Sequence, residues 1–299
     1  MVGADGAAVS ASAPAAMGRP ILTRPLPFTK LTGSGNDFVF VDARADAALE
    51  AVAMDPAVTA AACDRRFGVG ADGVVVLRPD PVHPFRIRYF NADGTQANLC
   101  GNATLCTVRL ATHLGIVDPA GFTFGSDAGA LRGWLRPDGQ PEVDLNPFDR
   151  LEPSVGIPLA PGERRMGFGF PTVPHLVVEV DDLEAVDVAA RGPVLRHHPT
   201  FERGTNVNWV VRTPDGWAMR TFERGVEGET LACASGATTC AAVLRAWGVT
   251  GDETRFRTRS GRTLTIRYRK TPQGEVPSIS GEGRIVFTGI LLDVGEVAR

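Results

Sequence analysis

Long apolar runs are missing from this 299-residue chain. None approaches the roughly 18 residues that a membrane-spanning helix needs, so no membrane partner is expected. Charge of one sign is missing too. The formal net charge of −3 gives no field that would draw nucleic acid or an anionic surface. Lysine is almost absent. Lys30 and Lys270 are the two present, and neither lies in a recognisable phosphate loop. That disfavours pyridoxal-phosphate chemistry, which needs a Schiff-base lysine. Cysteine is scarce and odd in number, five in all. With no export signal, this argues against a disulfide framework and for a reducing, cytoplasmic setting. The spacing between Cys100 and Cys106, and that between Cys233 and Cys240, is wider than the short pairs of zinc sites. We therefore expect no metal and no cofactor.

The first 27 residues, Met1 to Pro27, are rich in Ala, Gly, Ser and Pro and show no periodicity. They lack the basic start and compact apolar core of a signal peptide. They read as a disordered tail, or as a start site placed too early.

What the chain does contain is an internal echo. Phe90–Gly115 (FNADGTQANLCGNATLCTVRLATHLG) parallels Phe222–Gly248 (FERGVEGETLACASGATTCAAVLRAWG). Each follows a strand-like run, FRIRYF (85–90) or WAMRTF (217–222). Each then has a polar loop, a cysteine, a small-residue turn and a helical pattern. Leu105, Val108, Ala111 and Leu114 mark one helix; Ala237, Cys240, Leu244 and Trp247 mark the other. Gly115 and Gly248 each stand 15 residues after the leading cysteine, where a helix would end. Cys106 and Cys240 fall on the apolar stripes and read as core residues. A second echo pairs Asn36, before FVFV, with Asn206, before VNWVV.

These repeats predict an α+β fold of two similar mixed α/β domains, a pseudo-duplication with the active site in the cleft between them. The expected divisions are residues 1–27 as tail, 28–119 as the half carrying Cys100 and 120–286 as the half carrying Cys233. Residues 287–299 would form a strand returning to the first half. Asp55-Pro56 reads as the start of a helix ending near Gly68, and a shorter helix is expected over 182–190.

Cys100 and Cys233 each open a helix. A helix start offers unpaired N–H groups and a positive dipole end. Such a place should lower a thiol pKa and can hold a carboxylate. Two helix starts face to face would grip one α-carboxylate and leave a sulfur on each side of its α-carbon. That geometry suits removal of a proton from one face and delivery to the other.

At these residues the chain resembles the diaminopimelate epimerase family. The motifs are LTGSGNDFVFVD (31–42), RRFGVGADG (65–73), FNADGTQANLCGN (90–102), PHLVVEVDD (174–182), GTNVNWV (204–210) and ERGVEGETLACASG (223–236). The resemblance implies interconversion of LL- and meso-2,6-diaminopimelate without a cofactor. It also implies a small-molecule partner, neither nucleic acid nor membrane, and leaves a homodimer open. It makes Cys100 the proton donor and Cys233 the acceptor, with roles that reverse with direction. His175 and Glu223 match groups that line the site and support catalysis. Asn36, Asn91, Asn206, Glu223 and Arg224 match residues that hold the substrate. Gly101 and Asn102, with Ala234 and Ser235, match the helix-start positions that grip the reacting carboxylate. The alternative is a racemase of the same build acting on another amino acid. Departures from the family pattern fall at Gly73, Ala103, Leu105, Val173 and Ala234, and they bear on substrate choice rather than on proton transfer.

Overall fold

The fold was read from a computed structural model, which describes residues 22, 24–145, 148, 150–171, 173–271 and 274–293. The first repeat begins with strands β1 (Leu26–Gly33) and β2 (Asn36–Asp42) and helices α1 (Ala47–Ala53) and α2 (Pro56–Cys63). Strands β3 (Gly73–Arg78), β4 (Arg86–Asn91) and β5 (Gln96–Ala97) lead into α3 (Gly101–His113). Strands β6 (Phe122–Ser126), β7 (Gly129–Leu135) and β8 (Pro141–Asp144) complete it. After β9 (Arg150–Glu152) the same order recurs. It comprises β10 (Glu163–Phe170), β11 (His175–Val180), α4 (Val188–Arg196), β12 (Asn206–Thr213), β13 (Gly216–Glu223), β14 (Gly228–Thr230) and α5 (Ala234–Ala246). Strands β15 (Glu253–Arg257), β16 (Thr263–Thr271) and β17 (Gly274–Ser280) follow, and β18 (Arg284–Leu291) is the last element among the described residues.

Strand pairing makes the duplication explicit. β1–β2 and β10–β11 are antiparallel; β2–β3 and β11–β12 are parallel. β4–β6 and β13–β15 are parallel, each with a helix in the crossover. β18 lies along β1 and β9 lies along β10, so each repeat gains one strand from outside it. The fold is thus a mixed α/β pair of like domains. Among the described residues no helix is long and apolar enough to cross a membrane.

Each repeat curls around its central helix, which is buried on nearly every side. In α3, Leu105, Cys106, Val108 and Leu110 are buried, and their cluster includes Phe85, Phe124, Leu131 and Val143. In α5, Ala237, Cys240, Val243 and Leu244 belong to the same cluster with Val177, Phe256, Leu264 and Ile279. One core therefore runs through both halves and holds the two helices in fixed relation. Gly115 (φ 66°) and Gly248 (φ 72°) follow the helix ends in the left-handed conformation. β8 and β17 pair antiparallel and stitch the halves together. Beside that seam the buried Glu142 carboxylate accepts from Arg136 and Ser278 and pairs with Arg267.

Several expectations need correction. The expected tail runs to Pro27, but β1 starts at Leu26, which is buried and pairs with Leu291. Residues 1–21 and 23 of that segment lie outside the described residues, as do 294–299. The turn at Asp118–Gly121 is no boundary. β6 returns beside β4, so the first repeat continues to Asp144, and the closing strand begins at Arg284. The helix opened by Asp55 stops at Cys63. There the Asp64 carboxylate turns to accept from the N–H groups of Arg66 and Phe67. The helix expected over 182–190 lies at 188–196, capped by Asp187. Gly192-Pro193 resembles a stop signal, yet Gly192 lies inside the helix, at a place where the Phe222 ring leaves no room for a Cβ.

Candidate active site

Cys100 and Cys233 are the N-caps of α3 and α5. Their backbones are nearly identical, with φ −128°, ψ 120° and φ −131°, ψ 111°. Both line one cavity of about 350 Å³. The helix starts meet head to head. A Cβ on Gly101 would fall 2.5 Å from the Ala234 Cβ. Ala234 lies in the helix, so its methyl group is unstrained there, but its partner position must be glycine. All five cysteines are free.

Gly101, Asn102, Ala234 and Ser235 line the cavity beside the sulfurs. Asn36, Asn91, Asn206, Glu223 and Arg224 complete the polar wall. The strand ends deliver them: Asn91 closes β4, Glu223 closes β13, and Asn36 and Asn206 open β2 and β12. Asn91 is held by Thr95, which Asp93 holds in turn. Asn206 accepts the Arg224 backbone N–H at 2.8 Å and donates to the Pro174 carbonyl, which fixes where Arg224 leaves the strand.

His175 does not line the cavity. It opens β11 under α5, is fully buried, and reaches the site only through Ser235, its Nε2 being 3.0 Å from the Ser235 Oγ. Burial, helped by the Arg224 charge, lowers its pKa to about 3. Its ring is therefore neutral at neutral pH.

The expected lowering of the thiol pKa values is also corrected. Burial pushes Cys100 up to about 11, although the Ala103 and Asn102 N–H groups pull against it, and Glu223 adds to the rise. Burial pushes Cys233 up as well, and Glu223 again adds. Ser235 and the Gly236 N–H offset this in part. The helix start helps the thiolate, but exclusion of water outweighs it. Glu223 is itself raised by burial.

Some site residues escaped the sequence reading. Asp72 accepts from the Asn36 side chain at 3.0 Å and from the Arg65 guanidinium at 2.7 Å. Asn36 in turn accepts from the Asn102 side chain. Arg65, which looks like a helix-end charge, also pairs with Asp37, whose other cation is the buried Lys30. Burial alone would raise Asp37, but hydrogen bonds from Arg65 and Lys30 hold it below the usual carboxylate range. Tyr89 lines the cavity too. It fills the space beside Gly73, where a Cβ would lie 2.6 Å from its ring. Asn208 stands two residues after Asn206, on the same strand face, and strand period alone could have flagged it.

The architecture is that of the two-domain epimerase and racemase structures. A hydroxyproline epimerase from Agrobacterium vitis, solved with bound trans-4-hydroxy-L-proline, superposes with TM-score 0.64 at 15% identity. The match covers 92% of this chain and 94% of that one. A phenazine biosynthesis protein from Bacillus anthracis superposes with TM-score 0.68 at 15% identity, covering 90% of this chain and 100% of that one. Sequence narrows the class. The family model described as diaminopimelate epimerase matches residues 28–149 and 171–285. The diaminopimelate epimerase of Gemmatimonas aurantiaca is 46% identical, over 88% of this chain and 98% of its own length. That of Aquifex aeolicus is 40% identical, over 81% and 89%. The chain belongs to the diaminopimelate epimerase family.

Proposed function

We propose that this protein interconverts LL- and meso-2,6-diaminopimelate by two-base proton transfer, with Cys100 and Cys233 on opposite sides of the α-carbon. One observation carries the reading: two cysteines, each at the N-cap of a duplicated helix, face the same cavity where those helices meet. The N–H groups of Gly101, Asn102, Ala234 and Ser235 would hold the reacting carboxylate. They would also stabilise the enediolate-like charge that develops when the α-proton leaves. One thiolate takes that proton while the opposite thiol gives its own, so each turnover exchanges the roles of the two sulfurs. Arg224, held by Asn206, would pair with the far carboxylate, with Asn91 beside it. Glu223 would accept from the substrate ammonium. That pairing would offset the negative field which helps keep both sulfurs protonated in the empty site.

Purified protein should incorporate solvent deuterium into LL-diaminopimelate and yield the meso epimer with no cofactor added. A second reading, racemisation of a different amino acid, draws on the apolar wall of Leu99, Leu145, Pro171 and Val173. Faster racemisation of a simple amino acid in the same assay would favour it. Arg224→Ala should lower kcat/KM for diaminopimelate about tenfold or somewhat more, the worth of one lost charge-assisted pair. An unchanged kcat/KM would remove Arg224 from the far carboxylate.

The pH dependence has a definite sign. Both thiols have raised pKa values, and the base must be a thiolate. Raising the pH therefore increases the competent fraction, so kcat/KM should climb from neutral pH into the alkaline range. His175 adds no limb near its usual value, because its proton is lost only at about pH 3 in the folded protein. A bell with an acid limb near pH 6.5 would contradict both assignments.

A further inference from the structure

Behind Ser235 lies a string of buried polar side chains whose hydrogen bonds can run in one direction only. The Asn208 side-chain N–H donates to the Leu176 carbonyl at 3.0 Å. A carbonyl only accepts, so the amide cannot be turned around. Thr221 Oγ1 donates to the Asn208 Oδ1 at 2.9 Å and agrees with that orientation. The remaining N–H of the same amide meets His175 Nδ1 at 3.2 Å. Nδ1 must then offer its lone pair, and a neutral imidazole carries its proton on Nε2. That Nε2–H points to the Ser235 Oγ. Ser235, having accepted, has its own hydrogen left for the Cys233 Sγ, 3.5 Å away. The Gly236 N–H is 3.4 Å from the same sulfur. A thiolate can accept both donors.

The first repeat has an equivalent string with the opposite sense. Asn102 donates to Asn36, Asn36 donates to Asp72, and Arg65 donates to Asp72. The Asn102 and Asn36 hydrogens point away from the site and end on the Asp72 carboxylate, and the string directs none at Cys100.

We propose that Asn208, pinned by Thr221 and Leu176, is a positioning residue that sets the His175 tautomer and so presents the Ser235 hydroxyl hydrogen to Cys233 but not to Cys100. The two sulfurs of a duplicated site are thereby made chemically unequal. The proposal rests on the reading that Cys233 exchanges a proton with substrate, but its test does not use turnover. The other groups that act on this sulfur are Glu223 from β13, Cys100 at the start of α3 and Cys240 on α5; Arg224 faces His175. The substitutions below leave all of them in place.

The wild-type full-length protein, with ¹⁵N-labelled histidine, should show by NMR one neutral ring protonated at Nε2 that does not titrate between about pH 5 and 8. Assignment follows from loss of that signal in His175→Gln. In parallel, alkylation of Cys100 and Cys233 by iodoacetamide is followed against pH by peptide mass spectrometry, without substrate. Asn208→Leu should raise the midpoint for Cys233 by about one pH unit, the effect of one hydrogen bond to a charged group. The Cys100 midpoint should stay put. Ser235→Ala should give a similar rise, and adding Asn208→Leu to it should give no more. An Nδ1-protonated His175, or a His175 that titrates near 6.5, overturns the proposal even if Asn208→Leu does not fold. So does a Cys233 midpoint that ignores Asn208→Leu, or one that moves together with Cys100. Failure of the epimerase reading would show instead as absent deuterium exchange with the tautomer intact.

Discussion

Cys100→Ala and Cys233→Ala, each alone, should lower epimerisation by about a thousandfold or more while leaving half of the proton chemistry alive. The size follows from what each sulfur supplies. General acid–base groups contribute roughly 10² to 10⁴-fold apiece, and groups that act as a unit lose most of their effect when one is removed. The surviving half is the sharper part of the expectation. With Cys233 left, the epimer that presents its α-hydrogen to that sulfur can still lose it and regain one from solvent on the same face. With Cys100 left, the other epimer should do so. The measurement is deuterium in recovered substrate of unchanged configuration, run with each epimer and each variant. Two variants that exchange the same epimer would contradict the opposed placement of the sulfurs. A single variant near the wild-type rate would end the two-base reading. Thermal unfolding of both variants separates this from collapse, since Cys233 is 6% exposed and packs as a core residue.

The duplication was legible because it is written twice. Two cysteine loops, two helices with apolar spacing and two terminal glycines sit at matched intervals, and each half checks the other. Several features were hidden because they depend on partners distant in the chain. The return of a closing strand to the first half was expected, but that β1 already begins at Leu26 shows only in its pairing with Leu291 near the other end of the chain. The turn at Asp118–Gly121 looks like a boundary because a local signal cannot say which sheet the next strand joins. The thiol pKa values were misjudged in sign for a related reason. A helix start can be read from sequence, but the degree to which water is excluded from Cys100 and Cys233 cannot. His175 was legible as a residue of the site, but Ser235 stands between it and the cavity, and only packing shows that. Strand period places Asn208 on the face of Asn206, but the orientation of its amide, and the place of the Asp72 carboxylate as acceptor for Asn36 and Arg65, show only in packing.

The meeting of the two helix starts gives the second large effect. Gly101→Ala should lower kcat/KM about a hundredfold, and Gly101→Ala with Ala234→Gly should recover most of it. At this contact the pseudo-duplicate positions hold one methyl group between them, on Ala234. A second on Gly101 would put two Cβ atoms 2.5 Å apart, well inside the roughly 3.5–4.0 Å at which carbon atoms rest. The backbone of one helix start must then move by about 1 Å. Both sulfurs and the N–H groups proposed to grip the carboxylate ride on those first turns, and a displacement of that size costs about 10² in rate. Moving the methyl from one side to the other restores the count and hence the spacing. Helical φ accepts alanine at either position, so backbone strain should not penalise the exchange. Steady-state kinetics of the two single variants and the double variant decide it. A double variant as slow as Gly101→Ala would mean that something other than this contact sets the separation of the thiols. Full activity in Gly101→Ala would mean that the helix starts yield without moving the groups that do the chemistry.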